Sequence, residues 1–505
     1  MARLPLALLC ALAALAPQNA KRDKAKAFAG EWMTSYGPMK LESKGSSVAG
    51  EYGWSGEARV EGKLDKERFV FDWSNSGARG QGWFELWEDG QTLVGEFTPN
   101  GGQKDFCGAY RREAKRAEPK PGAITDGQTE SGLNYHLRVP KGFKKSERYT
   151  AVALFHGSNA NARDYVEGFP QNWPELGDQF ILVGFDGERL SSASRDGVRA
   201  FNASYVEFSG DKVGEPWRYN QTPWLVAQAL DQLKKELPIE RWFVGGHSQG
   251  GFLTLAVTMF YPDRVAGAFP VAGNLLVQCE PSFFDDEKMR TAQRRVPIAI
   301  VHGEKDDLVE FSAATYTNES LQDGGFPLLR LFNAPKQGHA WAFLPVDEAL
   351  AWLDTLASGD AETLLKFAEE AAGAERWRDA CGALARTREL AKGPALEARI
   401  EALSAKIDAA AAAQAEPLAK SIAANADAQW VDPFWEFRAR FAFAPAAQGV
   451  LKAYQKLRDD HQKPAQERFF KARGSQDDKE RKALYREIVE RYYASSYYRL
   501  VKGWI

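Results

Sequence analysis

Cysteine is scarce in this chain: 505 residues hold four, Cys10, Cys107, Cys279 and Cys381. Past the N-terminus the remaining three are spread over three regions, which excludes a disulfide framework. Neither C-x-x-C nor H-E-x-x-H occurs, so no metal pattern is present and no cofactor is implied. A surplus of one charge is missing as well. Lys and Arg number 65 against 68 Asp and Glu, a formal net charge of −3. With the two signs interspersed, nothing invites nucleic acid or an anionic membrane. The one long apolar run, Leu4 to Ala16, is too short to span a bilayer. It follows Arg3 and ends in Ala14-Leu15-Ala16, the pattern of a secretory signal peptide. Residues 1–20 are therefore read as a signal segment, and the protein as secreted or periplasmic.

What the chain does have is a glycine-framed serine. Gly246-His247-Ser248-Gln249-Gly250 follows the apolar run Arg241 to Val244 and precedes a helix-like stretch, Gly251 to Tyr261. Gly-x-Ser-x-Gly between a strand and a helix is a nucleophile elbow. The turn is so tight that side chains two before and two after the serine would collide. Gly246 and Gly250 answer that need, and Gly251 adds a third small residue for close helix packing. The bare pentapeptide arises by chance in many proteins; the flanking strand and helix make it specific here.

In elbows of this kind the order along the chain is Ser, then Asp or Glu, then His. Only His302, His339 and His461 follow Ser248. His461 lies in a charged helical tail, and His302 at the end of an apolar strand, too early for the base. His339, in a loop before a helix pattern at Val346 to Thr355, remains. It would take the Ser248 proton and return it to the leaving group. The acid is sought after Val301, where Glu304, Asp306 and Asp307 stand; Asp306 is favoured and Asp307 is the alternative. The bland reading, ordinary loop acids, yields to their place between elbow and histidine. An oxyanion hole needs backbone N–H donors. Gln249, after the serine, supplies one. Ser158, in His156-Gly157-Ser158-Asn159 after the strand Tyr149 to Phe155, is the choice for the other. His156 precedes Ser248 and reads as structural.

From about Leu133 to Asp354 these pieces resemble an α/β-hydrolase of the polyhydroxybutyrate-depolymerase and feruloyl-esterase kind. The resemblance rests on His156-Gly157, Arg241 to Gly251, His302-Gly303-x-x-Asp306-x-x-Val309 and Gly338-His339-x-Trp341. It implies an ester substrate, polymeric or carbohydrate-linked. Two departures leave the substrate open: Glu215 to Trp224 replaces the family's segment before the nucleophile strand, and no proline follows Trp341.

The expected fold class is α/β, a doubly wound, mainly parallel sheet over residues 131–358, with two flanking units. Residues 26–112 carry six to eight short alternating runs separated by turn signals such as Asp89-Gly90 and Asn100-Gly101, which predicts a small β-barrel or sandwich. Its pattern is loosely similar to lipocalin-like and avidin-like barrels. Its tryptophans either fill the interior or line a ligand site. A polar, proline-spaced linker is expected over 113–130. Within the hydrolase unit, strands are predicted from Leu133 to Val139 and, through Tyr149 and Phe180, to Leu328–Phe332. Thr222-Pro223 opens a helix running to about Glu236. From Gly359 to residue 505 the composition turns to Ala, Glu, Lys, Arg and Leu, with helical periodicity in Ala361 to Ala372, Ala374 to Ala391, Ala395 to Ala415 and Lys479 to Tyr493. Paired helices faintly similar to tetratricopeptide repeats leave room for a protein partner.

The leading expectation is a secreted serine esterase working through Ser248, His339 and Asp306, with an acyl-enzyme intermediate. Trp217, Tyr219, Trp341 and Phe343 are candidates for its pocket. A serine peptidase of the prolyl-oligopeptidase kind shares the motif order, but the N-terminal unit is too small for a propeller. A third expectation is a binding protein whose hydrolase unit is vestigial.

Overall fold

Period-two alternation builds the first unit. In Arg68–Ser74 (β5), Phe69, Phe71 and Trp73 point inward and their neighbours outward. Burial alternates likewise in Gly37–Lys44 (β2), Ala58–Asp65 (β4) and Arg79–Leu86 (β6), and Gly30–Thr34 (β1), Ser47–Tyr52 (β3), Thr92–Pro99 (β7) and Asp105–Arg111 (β8) complete the set. Pairing of β1 with β8 closes these strands into a barrel, which decides between barrel and sandwich. Phe69, Phe71 and Phe84 stack in the interior with centroids 5.1 and 5.0 Å apart. Gly82 makes room for them, since a Cβ there would meet the Phe71 ring at 2.7 Å. Residues 24–28 form a helical turn that stops one end, with Phe28 buried and its carbonyl accepting from Trp32 Nε1 at 2.9 Å. Trp32 is filling; Trp73 borders a small apolar cavity with Met39, Val60 and Phe71.

The computed structural model describes residues 24–34, 37–53, 56–87, 90–102, 105–112, 115–158, 160–186, 189–191, 202–204, 206–207, 218–219, 222–275, 293–425 and 428–505. Residues 1–20, expected as a signal segment, lie outside these residues with Asn159, Trp217 and Cys279, as does the side chain of Tyr219.

Eight strands form the second unit's sheet. They are Ile124–Gln128 (β9), Asn134–Arg138 (β10), Tyr149–Phe155 (β11), Ile181–Phe185 (β12), Ile239–His247 (β13), Gly267–Val271 (β14), Ile298–Gly303 (β15) and Leu329–Ala334 (β16). Their order is β16-β15-β14-β13-β11-β12-β10-β9, parallel from β16 to β12 and antiparallel for the last two. The central strands read as unbroken apolar runs because helices cover both faces. Those helices include Ala162–Asn172 (α1), Thr222–Glu236 (α2), Gln249–Phe260 (α3), Phe311–Asp323 (α4) and Val346–Ser358 (α5).

The stretch expected as a linker differs. Its second half is β9, paired residue by residue with β10. Ala117, further back, is buried and donates its N–H to Tyr135 Oη at 3.0 Å. Gly127 lies so close under Tyr135 that a Cβ would sit 2.3 Å from the ring. Pro119 and Pro121 stand outside β9, because proline has no N–H to give; Pro121 makes only an isolated parallel bridge with Val139, where Gly122 N donates to Val139 O at 3.0 Å.

The C-terminal region is helical: Ala361–Gly373 (α6), Trp377–Leu390 (α7), Pro394–Ala424 (α8), Val431–Phe441 (α9), Gln448–Gly474 (α10), Asp478–Arg491 (α11) and Ser496–Lys502 (α12). Asp360 caps α6, accepting from Thr363 N at 2.8 Å. Helix α8 runs past its expected end at Ala415 and carries Pro417 inside it; burial of Leu418 and Ile422 offsets the lost backbone bond. This region is not a separate appendage. Leu350 and Leu353 of α5 share one core cluster with Leu365, Phe434 and Tyr454.

Buried charges cross the same boundary. Arg438 of α9 pairs with Asp323 of α4, and Arg499 Nη1 reaches Glu319 Oε1 at 2.5 Å. Burial pushes the Glu319 carboxyl up to about 8, against the opposing pull of Arg499 and Arg438. The folded state thus holds a proton that the unfolded chain releases from its ordinary value of 4.5 upward. Stability from this group is full below that value and is lost as pH rises through about 8. The urea midpoint is expected to fall between pH 6 and 9, and to fall less in Glu319→Gln; parallel curves for the two proteins would refute it.

Candidate active site

Strand β13 lies at the middle of the sheet and ends on His247, so Ser248 stands at the carboxyl edge. Ser248 has φ +56° and ψ −117°, a conformation that costs a non-glycine residue about 1–3 kcal/mol. The surroundings hold it there: Ser248 N donates to Val271 O at 2.8 Å, and Gly251 N donates to Ser248 O at 2.8 Å. The flanking glycines are required by contact. A Cβ on Gly246 would lie 2.7 Å from the Gly250 carbonyl, and one on Gly250 would lie 2.2 Å from Phe155 O. Gly251 faces Gly273, where a Cβ would come within 2.9 Å.

Asp306 is buried in the loop after β15, and its Oδ2 is 2.7 Å from His339 Nδ1. Its Oδ1 accepts from Leu308 N at 3.0 Å and Val309 N at 2.8 Å, while His302 Nε2 stands 3.3 Å from Oδ2. Burial opposes ionisation of this carboxyl. Hydrogen bonds from His302, His339, Val309 and Leu308 outweigh it and hold the group well below the usual carboxylate range. An ionised carboxylate only accepts, so His339 carries its proton on Nδ1 and leaves Nε2 basic. Asp307 is exposed, so the geometry separates the two acids. The histidine loop is pinned to β15 by contact at Gly303, where a Cβ would lie 2.3 Å from Gly338 O.

The other expected positions fall as follows. Gln249 is the first residue of α3, directly after Ser248. Ser158 is exposed beside buried Gly157, whose N–H donates to Tyr165 Oη at 3.2 Å. His156 is fully buried, and its Nδ1 is 2.8 Å from Gly157 O; burial pushes its pKa down. That is a structural role. His461 lies on α10 and accepts from Ala494 N at 3.2 Å, away from the sheet. Trp341 packs among Tyr165 and Trp173, with centroids 5.0 and 5.1 Å away, while Phe343 is 68% exposed.

Sequence reasoning missed His247 and Tyr165. The His247 ring lies 4.5 Å from the His339 ring, and both its nitrogens are engaged. In Gly-x-Ser-x-Gly it occupies a variable position, and Tyr165 sits on an ordinary amphipathic helix, so no pattern marks either one.

A mainly parallel sheet with a strained serine between its central strand and the next helix defines an α/β-hydrolase fold. Residues 218–326, less than half of the chain, match the phospholipase/carboxylesterase family model. The chain is 29% identical over 138 residues to acyl-protein thioesterase 1 of Eremothecium gossypii, covering 27% of this chain and 56% of that protein. It is 36% identical over 90 residues to a probable carboxylesterase of Oryza sativa subsp. japonica, covering 18% of this chain and 32% of that one. The chain thus spans about half the length of the thioesterase or less of these relatives. Among solved structures, a ferulic acid esterase is similar at 15% identity and TM-score 0.35, over 48% of this chain and 99% of that one.

Proposed function

We propose that the chain is an exported serine hydrolase of carboxylic esters. The observation that carries this reading is the buried Asp306 carboxylate on His339 Nδ1, with the His339 carbonyl 2.6 Å from Nε2 of His247, the residue before a serine held in a strained elbow. In this reading Ser248 Oγ attacks the ester carbonyl while His339 Nε2 takes its proton. The N–H groups of Gln249 and Ser158 receive the oxyanion, and the imidazolium protonates the departing alcohol. Water then attacks the acyl-serine with His339 again as base. Asp306 stabilises the imidazolium and keeps the proton off Nε2 until that moment. The partial match to a carboxylesterase family model and the thioesterase relatives support acyl transfer as the class of chemistry. Export rests on Arg3 followed by the apolar run Leu4 to Ala16.

The test is labelling of the purified protein with a fluorophosphonate, read by mass spectrometry. A single adduct on Ser248, absent from Ser248→Ala, is expected, with turnover of p-nitrophenyl esters and none of aminoacyl-anilides. A folded sample without adduct would overturn the proposal.

A further inference from the structure

Four groups around the serine form a chain of hydrogen bonds. Gly157 N donates to Tyr165 Oη at 3.2 Å, Tyr165 Oη lies 2.8 Å from His247 Nδ1, and His247 Nε2 lies 2.6 Å from the His339 carbonyl oxygen. Proton accounting permits one assignment for a neutral ring. A carbonyl only accepts, so His247 Nε2 carries the proton. Its Nδ1 must then accept, so the Tyr165 hydroxyl donates to it, and the Tyr165 oxygen is left to accept from Gly157. Every donor meets an acceptor, and all point along the chain in the same sense.

The ends of this chain matter more than its middle. Gly157 precedes Ser158, His247 precedes Ser248, and His339 is the histidine that bears on Asp306. Three separate elements are tied: the loop after β11, the end of β13 and the loop before α5, with Tyr165 of α1 as the link. The fit is close, since a Cβ on Gly157 would lie 3.2 Å from both His247 Nδ1 and Tyr165 Oη. Tyr165 is clamped by stacking on His247 and by Trp341. Burial favours the neutral ring, pushing His247 down to about 4, with the nearby His339 adding to the shift.

We infer that Tyr165 and His247 are positioning residues that hold the oxyanion loop and the base loop in register with the nucleophile. The inference rests on the proposed roles of Ser248, His339 and Ser158. Neither residue need touch substrate. Their effect is on the placement of groups that do, and misplacement by an ångström can cost about a hundredfold in rate.

The test uses the full chain with Tyr165→Phe, His247→Phe, the double variant and His247→Gln. Each phenylalanine keeps a ring for packing and removes the hydrogen bonds. The expected result is a fall in kcat and in fluorophosphonate labelling rate of about 10- to 100-fold for each single variant. KM should change little, and the double variant should be no slower than the worse single one. His247→Gln, which keeps a donor and an acceptor, should recover part of the loss. Additive effects, or unchanged rates in variants with native thermal midpoints, would overturn the inference. A second readout does not depend on activity: ¹⁵N-histidine spectra should show His247 neutral and protonated on Nε2 at pH 7, with Nδ1 shifting in Tyr165→Phe. A charged ring or the other tautomer would overturn the inference even where Ser248 labels. Absence of any Ser248 adduct in the wild type would instead refute the hydrolase reading, leaving the spectra to decide the hydrogen-bond chain.

Discussion

Asp306→Asn is expected to lower kcat on an activated ester by about four powers of ten, while Asp307→Asn leaves it little changed. The size follows from which way the new amide must face. The N–H groups of Leu308 and Val309 both point at Oδ1, so the asparagine oxygen is held there. Its NH2 group then takes the place of Oδ2, which lies 2.7 Å from His339 Nδ1. Two donors cannot face each other, so His339 must accept at Nδ1 and carry its proton on Nε2. That tautomer cannot take a proton from Ser248. His302 Nε2 also loses its acidic neighbour but keeps the Val309 carbonyl at 2.7 Å, so the stability cost should lie at the low end of the about 1–3 kcal/mol of one badly satisfied buried group. Rates should therefore be compared at a temperature where denaturation curves show both variants folded. Equal rates for Asp306→Asn and wild type would remove Asp306 from the mechanism.

The site was legible in the sequence where its chemistry is local. The elbow is written in three glycines around Ser248, and their contacts with Phe155 and Gly273 are the clashes that the spacing implies. His339 could be singled out by elimination, because chain order leaves few histidines, whereas Asp306 could only be favoured over Asp307, and it is the folded loop that buries one and exposes the other. The hydrogen-bond chain through Tyr165 and His247 was not legible. Its partners come from four segments, and only the folded sheet brings them together. Strand β9 was hidden by the prolines that precede it, although Ile124-Thr125 in the same stretch favours extended pairing. Helix α9 and most of α10 fall outside the four stretches whose periodicity reads as helical, although His461 of α10 stands in a helical tail; Pro433 falls in the first turn of α9, where its missing N–H costs nothing, and α10 continues through Pro464 with Ala465 and Phe469 buried behind it.

Removal of residues 359–505 is expected to abolish soluble expression of the hydrolase unit, although the sequence reads them as a separate helical unit. Core and charge both argue this. Leu350, Leu353 and Leu356 of α5 are buried in the cluster that contains Leu364, Leu365 and Trp377, so the cut would bare an apolar face of the catalytic unit. Arg378 of α7 donates to Phe326 O at 2.9 Å, and Gly382 lies where a Cβ would be 2.8 Å from Pro327 O, so α7 covers the loop into β16 closely. The cut would also strip Asp323 and Glu319 of α4 of their arginine partners. Breaking one buried pair costs about 3–5 kcal/mol. The Asp323 pairing alone, with the lost apolar burial, takes up much of the roughly 5–15 kcal/mol that holds a domain folded. The barrel is joined more lightly, by contacts such as Gln128 Nε2 to Arg111 O at 2.6 Å and the Met33 side chain against Gly132. Its removal should leave a soluble protein that still labels at Ser248. Soluble yield and Ser248 labelling of the two truncations decide the matter. If the chain ending at Ser358 is soluble and labels at the wild-type rate, the helical region is dispensable to the catalytic fold, and its shared core with α5 counts for less than its burial implies.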